Sequence, residues 1–215
     1  MNVEHIEILV EEPSMEAALS ILLPRILGSL SFRIYVSNGK QNLLRNLPDR
    51  LRGYSRSLPA DHLLIVVVDR DNQDCRELKK HLEKISLESG LQTRTTADDG
   101  FYRMVNRIVC EELEAWYFGD WDAVRQAFPN VPQGVPRQKG YRSPDAIKGG
   151  TWEAFERILL CAGYYRNGLS KIGVARQIAP HLEPTRNRSP SFQCLLKVLT
   201  KIAPDQTSDR QAKEF

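Results

Sequence analysis

Cysteine is scarce in this chain: Cys75, Cys110, Cys161 and Cys194 are scattered, with no CxxC pair and no histidine at ligand spacing. That pattern excludes a zinc site and a disulfide framework, and a reducing cytoplasm is the simplest setting for it. Long apolar runs are missing too, since no stretch approaches the roughly 20 residues that a membrane helix needs. The start, MNVEHIEILVEE, carries acids inside its short apolar run and no basic n-region, so it does not read as a signal peptide. His5, His62, His81 and His181 form no cluster, and no GxxxxGK[ST] loop is present, which removes an ATPase of the usual kind. Nor does one sign of charge dominate. Thirty basic against 27 acidic residues leave a formal charge of +3, which permits nucleic-acid binding without arguing for it.

What is present is enough apolar residue, 41% of 215, for one large domain or a domain with an appended helical part. The chain is organised around Leu63 to Asp71, LLIVVVDRD. Its unbroken, half β-branched run suits a strand buried on both faces of a parallel sheet. Extended backbone continuing past the run would send Asp69 and Asp71 out on one side, since side chains at i and i+2 point alike. The plainer alternative is an acidic turn that simply ends a core strand.

Before this strand, residues 6–10 read as a first strand ending in Glu11-Glu12-Pro13-Ser14. A helix follows, with Ser14 as its N-cap and Ala17, Ala18, Ile21, Leu22 and Ile26 on one stripe. Residues 32–36 read as a second strand, Asn38-Gly39 as a break, and residues 42–51 as a helix interrupted by Pro48. After Asp71, residues 75–89 form an amphipathic crossover helix closed by Gly90. Residues 91–96 and 104–110 read as two more strands, the second running into Glu111-Glu112-Leu113-Glu114. The expected fold is therefore α/β, a mainly parallel sheet flanked by helices over residues 1–128. A basic Pro/Gly-rich loop follows at 129–150, then a helical extension at 151–203, reading as helices at 152–165, 169–182 and 191–202. A polar tail ends the chain at 204–215.

Three strand ends thus carry acids: Glu11, the Asp69/Asp71 pair, and Glu111 to Glu114. In a parallel sheet they share one edge, where ligands of open α/β sheets gather. Mg²⁺, or Mn²⁺ in its place, takes oxygen ligands and keeps waters, so such a set suffices to hold a cation against a phosphodiester. Glu11, Asp69 and Asp71 are the candidate catalytic residues, Glu11 as base or ligand, and Glu111 with Glu114 the further metal ligands. Glu111 and Glu114 are preferred over Glu112 because i and i+3 are neighbours on a helix. The competing reading of Glu11 is a charge that complements the helix dipole. Arg137, Lys139, Arg142, Lys148 and Lys171 are candidate phosphate contacts, against the alternative of a solvated loop. Trp116 and Tyr117 read as core aromatics, with base stacking as the alternative.

ILVEEPSMEAAL followed by LLIVVVDRD resembles the TOPRIM arrangement, in which a Glu closes the first strand and a DxD closes a later one. Glu11, Glu16, Asp69/Asp71, EELEAWYFGD from Glu111 to Asp120, Lys171, and SPSF at Ser189 to Phe192 together resemble the prokaryotic domain-of-unknown-function 4276 family across about residues 5 to 200. TOPRIM proteins usually follow the first Glu with Gly, where this chain has Glu12. The resemblance implies a compact TOPRIM-like α/β domain, Mg²⁺-dependent strand cleavage, and kinship with nucleases of phage defence, mobile elements and overcoming-lysogenization type. It further implies an ATPase partner supplied by another chain; the expected substrate is DNA in preference to RNA. The alternative it leaves open is a non-catalytic interaction module working with that partner. A DxD nucleotide-sugar transferase has no reason to need Glu11. A haloacid-dehalogenase-type phosphatase places its DxD on the first strand, so both rank below.

Overall fold

Strand β3 (His62–Asp69) is buried along all but its first residue, because helices cover the sheet on both sides. In the computed structural model of the chain, residues 2–98, 100–165 and 168–203 are described. The sequence expectation for the tail at 204–215 lies outside them. Leu63, Ile65 and Val67 enter one core, and Leu64, Val66 and Val68 enter the other, which is the period of two that a strand imposes. Around β3 stand β1 (His5–Val10), β2 (Ser31–Val36) and β4 (Met104–Val109) in the order β2-β1-β3-β4. Every pairing is parallel, with Val10 beside Val67 and Asp69 beside Val109, so all four strands leave the sheet at one edge. The α/β fold with a parallel sheet flanked by helices is the one the sequence implies.

Helix α1 (Pro13–Leu27) packs on one face. Its N-cap is Glu12 rather than Ser14, because Pro13 takes the first helical position, where its fixed φ is preorganised and its missing N–H costs nothing. Helices α2 (Lys40–Ser57) and α3 (Cys75–Glu88) cover the other face. Helix α2 runs through Pro48 and well past Leu51. Proline forfeits one backbone bond there, but Leu43, Leu47 and Leu51 are fully buried, each worth about 1.5–3 kcal/mol.

The strand expected at 91–96 does not form: only Thr93 bridges to Met104, and a turn follows. Threonine side chains capture the backbone instead. Thr96 Oγ1 accepts from the Thr93 N–H at 3.0 Å, while the Thr93 hydroxyl donates to buried Glu83.

Beyond β4 lie α4 (Glu114–Gly119) and α5 (Trp121–Ala127), then an irregular stretch with short 3-10 turns at Val135–Arg137 and Pro144–Ala146. Helices α6 (Thr151–Cys161), α7 (Lys171–Ile178) and α8 (Pro190–Ile202) close the chain, α6 and α7 shorter than the sequence periodicity suggests. Helix α7 tightens into a 3-10 turn at Ala179–His181, where Pro180 cannot continue the ladder. Leu19 and Leu22 of α1, Phe155 of α6, Val174 and Ile178 of α7 and Leu195 of α8 belong to a single buried cluster, which fixes α7 beside the strand exits.

Candidate functional site: an acidic rim at the strand exits

The sheet edge gathers acids because β1, β3 and β4 each run out at or just before them. Glu11 directly follows β1 and is 7% exposed; Asp69 is the last residue of β3 and 8% exposed. The Asp69 N–H donates to Glu11 Oε2 at 3.3 Å, so the two strand ends touch through a carboxylate. Glu114 opens α4 and is 2% exposed. Asp69 Oδ1, Glu111 Oε2 and Glu114 Oε2 are buried without a hydrogen-bond partner. Such atoms are costly to leave bare.

The electrostatics follow from that geometry. Burial first, and then the charge of Asp71, pushes the Glu11 pKa up to about 7, although Lys40 opposes the shift. Burial, joined by Glu11, Glu114 and Glu112, holds Asp69 well above the ordinary carboxylate range. Glu114 is likewise raised to about 7 by burial, with Lys171 pulling against it and Glu112 adding to it. The rim is therefore an excess of negative charge at low exposure, a setting in which carboxyls stay protonated or take up a cation.

Asp71 departs from the expected geometry. Strand β3 stops at Asp69, and Asp71 sits in the left-handed region at φ 51°, so the alternation of a strand does not carry through the DxD. Its carboxylate turns to Lys40, whose Nζ donates to Asp71 Oδ2 at 3.0 Å and to the carbonyls of Asp69 at 2.6 Å and Arg70 at 3.0 Å. The Arg70 and Asp71 N–H groups donate to the Glu111 carbonyl at 3.0 and 3.1 Å, tying the exits of β3 and β4 together. Asp71 and Glu111 line a cavity of about 420 Å³ with Glu112, Glu153 and the backbone of Gly149 and Gly150.

Glu112 belongs to the cluster as well. The spacing argument that set it aside assumed a helix, whereas α4 begins only at Glu114. Glu112 accepts from Lys171 Nζ at 3.3 Å and from the Trp152 N–H at 3.2 Å. Lys171 also faces Glu12 at 4.0 Å and lies over the Trp152 ring at 5.0 Å. Burial works against its charge, but Glu114, Glu112 and Glu12 outweigh it and raise its pKa. Lys171 thus sits among carboxylates rather than reaching outward.

Arg137, Lys139, Arg142 and Lys148 stand exposed on the 129–150 segment, with Arg142 Nε donating to the Arg137 carbonyl at 2.9 Å. Lys148 is next to the glycines that rim the acidic cavity. Trp116 and Tyr117 are fully buried, so neither offers a face to a base. Tyr117 lies behind the rim, where burial first and then Glu114 and Asp69 raise the pKa of its phenol. Sequence reasoning missed Lys40 and set Glu112 aside, while its reading of Tyr117 as a core aromatic agrees with the burial; for Lys40, the signal was a lone cation opening a helix after Asn38-Gly39.

Among the described residues, no three His, Cys, Asp or Glu side chains already stand close enough to share a metal ion. The donor set nevertheless fits a hard divalent cation. All its members are carboxylate oxygens, and three of those atoms are buried without partners.

Fold and rim together define an α/β protein with a parallel sheet whose exits converge as a buried acidic site. The chain belongs to the family described as Domain of unknown function (DUF4276), whose model matches residues 10–200. Among solved structures it is similar to the C-terminal region of the OLD protein of Xanthomonas campestris pv. campestris, at 15% identity and a TM-score of 0.45, covering 99% of this chain and 98% of that one. No curated protein matches the sequence. No helix among the described residues is long and apolar enough to cross a membrane.

Proposed function

We propose that this chain is a metal-dependent, TOPRIM-like nuclease that cleaves nucleic-acid phosphodiesters, DNA in preference to RNA, in a prokaryotic defence or mobile-element setting. The observation that carries the reading is the set of unpartnered carboxyl oxygens on Asp69, Glu111 and Glu114 at one sheet edge. Glu11, Asp69 and Asp71 are its catalytic set, and Glu111 and Glu114 complete the oxygen ligands for Mg²⁺ or Mn²⁺. Asp69, Glu111 and Glu114 would offer that ion their unpartnered oxygens. Such an ion would neutralise phosphate charge and supply water of lowered pKa.

The chain's own groups do the rest. Glu11 is the base: its carboxylate would take the proton of the attacking water as the water oxygen bonds to phosphorus, while the P–O bond to the leaving strand end breaks and that oxygen takes a proton from solvent. Lys40 fixes Asp71 and the carbonyls beside it, and Lys171 holds Glu112 and sets a positive charge against Glu114. Arg137, Lys139, Arg142 and Lys148 hold flanking phosphates. On this reading residues 1–128 form the catalytic part, and the extension at 151–203 supplies Lys171.

Incubation with plasmid, linear and single-stranded DNA and with RNA, plus Mg²⁺ or Mn²⁺, tests it. Cleavage is expected, reduced by about 10²–10⁴ in Glu11→Ala and lost in Asp69→Ala. Cutting that survives both changes overturns it. A second reading, a non-catalytic module that serves an ATPase on another chain, is favoured by the way Lys40 and Lys171 already neutralise part of the rim. That reading predicts no cleavage under any of these conditions.

A further inference from the structure

The acidic cavity repels the polyanion that the rim is proposed to cut, so a strand must approach from a side that attracts it. One such side exists. Beside Asp71 opens a cavity of about 640 Å³ lined by Lys40, Gln41, Arg45 and Gln73. A narrower one of about 160 Å³ continues from it between β2 and α2, past Asn46 to Arg50. Asn38 and Asn42 line both, so the two are adjoining stretches of one groove. Asp71, at the outlet, is the only carboxylate among the lining residues, and it also lines the acidic cavity.

The groove is held in shape along its length. Asn42, Asn46 and Arg50 fall on one stripe of α2, about 6 Å apart along the axis at each step of four residues. Asn42 Nδ2 donates to the Ser37 carbonyl at 2.5 Å, and its Oδ1 accepts from Asn46 at 2.8 Å and from Arg45 at 3.0 Å. At the far end Tyr35 carries the guanidinium of Arg50 at 4.6 Å and that of Arg33 at 5.2 Å from its ring centre. Arg45 stands exposed with most of its donors turned to solvent. Apart from Asp71 and an apolar floor that includes Leu9, Val36 and Leu43, the lining is amides, guanidinium groups and an ammonium, the groups that contact phosphate and sugar rather than read bases.

We propose that the groove between β2 and α2 binds the backbone of a nucleic-acid strand and leads it to Asp71. This rests on the reading of the rim as a phosphodiester site, and it assigns the strand's path to residues outside the 129–150 segment. The first-turn amides of α2 add to the attraction, since Gly39 places no side chain over them.

Fluorescence anisotropy with a labelled single-stranded oligonucleotide and with a duplex, in chelator at several salt concentrations, tests the groove without requiring cleavage. The double variant Arg45→Ala/Arg50→Ala is expected to bind about tenfold more weakly, its salt slope shallower by about 0.7 for each single-strand phosphate it no longer neutralises. Arg45→Glu, at an exposed position, is expected to weaken binding at least as much as Arg45→Ala. Lys80→Ala/Lys84→Ala removes equal charge from the outer face of α3 and is expected to change affinity less than about twofold. A loss confined to single strands, or shared by the duplex, supports the groove and tells which form it takes. Unchanged binding in the groove variants, or no binding by the unaltered chain, overturns the groove. The metal-dependent site is judged separately, by cleavage with Mn²⁺.

Discussion

Asp69 and Glu114 each leave a carboxyl oxygen buried and bare, and both are held above their ordinary pKa, chiefly by burial. A residue kept for stability alone would not be placed so. Asp69→Asn and Glu114→Gln remove a buried like charge while keeping shape, and each is expected to stabilise the chelated protein at pH 8 by about 1–3 kcal/mol. Thermal melts in chelator check this, at about 2–4 °C per kcal/mol for a chain of this size. Lys171→Ala is expected to do the opposite, and more strongly at pH 8 than at pH 5.5, because it strips the cation from Glu12, Glu112 and Glu114. The acids of the rim were legible as residues, since Glu11 and Asp69 stand where apolar runs stop. The partner of Lys171 was not: its carboxylates lie far back in the chain, and only packing of α7 against α1 brings them together.

At the level of elements, burial decided where local signals misled. Helix α2 passes through Pro48 because its leucines are anchored in the core. Leu47→Ala, which empties the space of a side chain packed between α2 and the sheet, is expected to cost about 2–5 kcal/mol, read by denaturant unfolding. Pro48→Ala is expected to raise stability instead, by restoring a backbone donor inside the helix. Strand β3 could be read directly, since burial on two faces writes an unbroken apolar run. The segment after Gly90 could not. Its threonines suit a strand by type, but the bond from Thr93 to Glu83 depends on how α3 lies against the sheet. Glu112 was set aside for a similar reason, because the turn before α4 is set by tertiary contacts rather than by spacing.

For the molecule as a whole, the rim couples folding to protons and to cations. The folded pKa of Glu11 and of Glu114 lies at about 7, against an ordinary 4.5. Between those values the folded state holds protons that the unfolded chain has released. Their stabilising contribution is therefore complete below about pH 4.5 and is lost as pH rises through about 7. Metal-free protein is expected to melt at lower temperature at pH 8 than at pH 5.5 for this reason, and a divalent cation is expected to recover the difference. The parallel sheet brings all of this to one edge, as the alternation of strands and helices in the sequence implied.

Calorimetric titration of Mn²⁺ into the protein at pH 6.5, in two buffers of different ionisation enthalpy, tests the central claim most directly. Saturable binding that releases protons, and that disappears in Asp69→Asn, is the expected result. Absence of binding heat in either buffer, with a melting temperature that cation does not change, would contradict it.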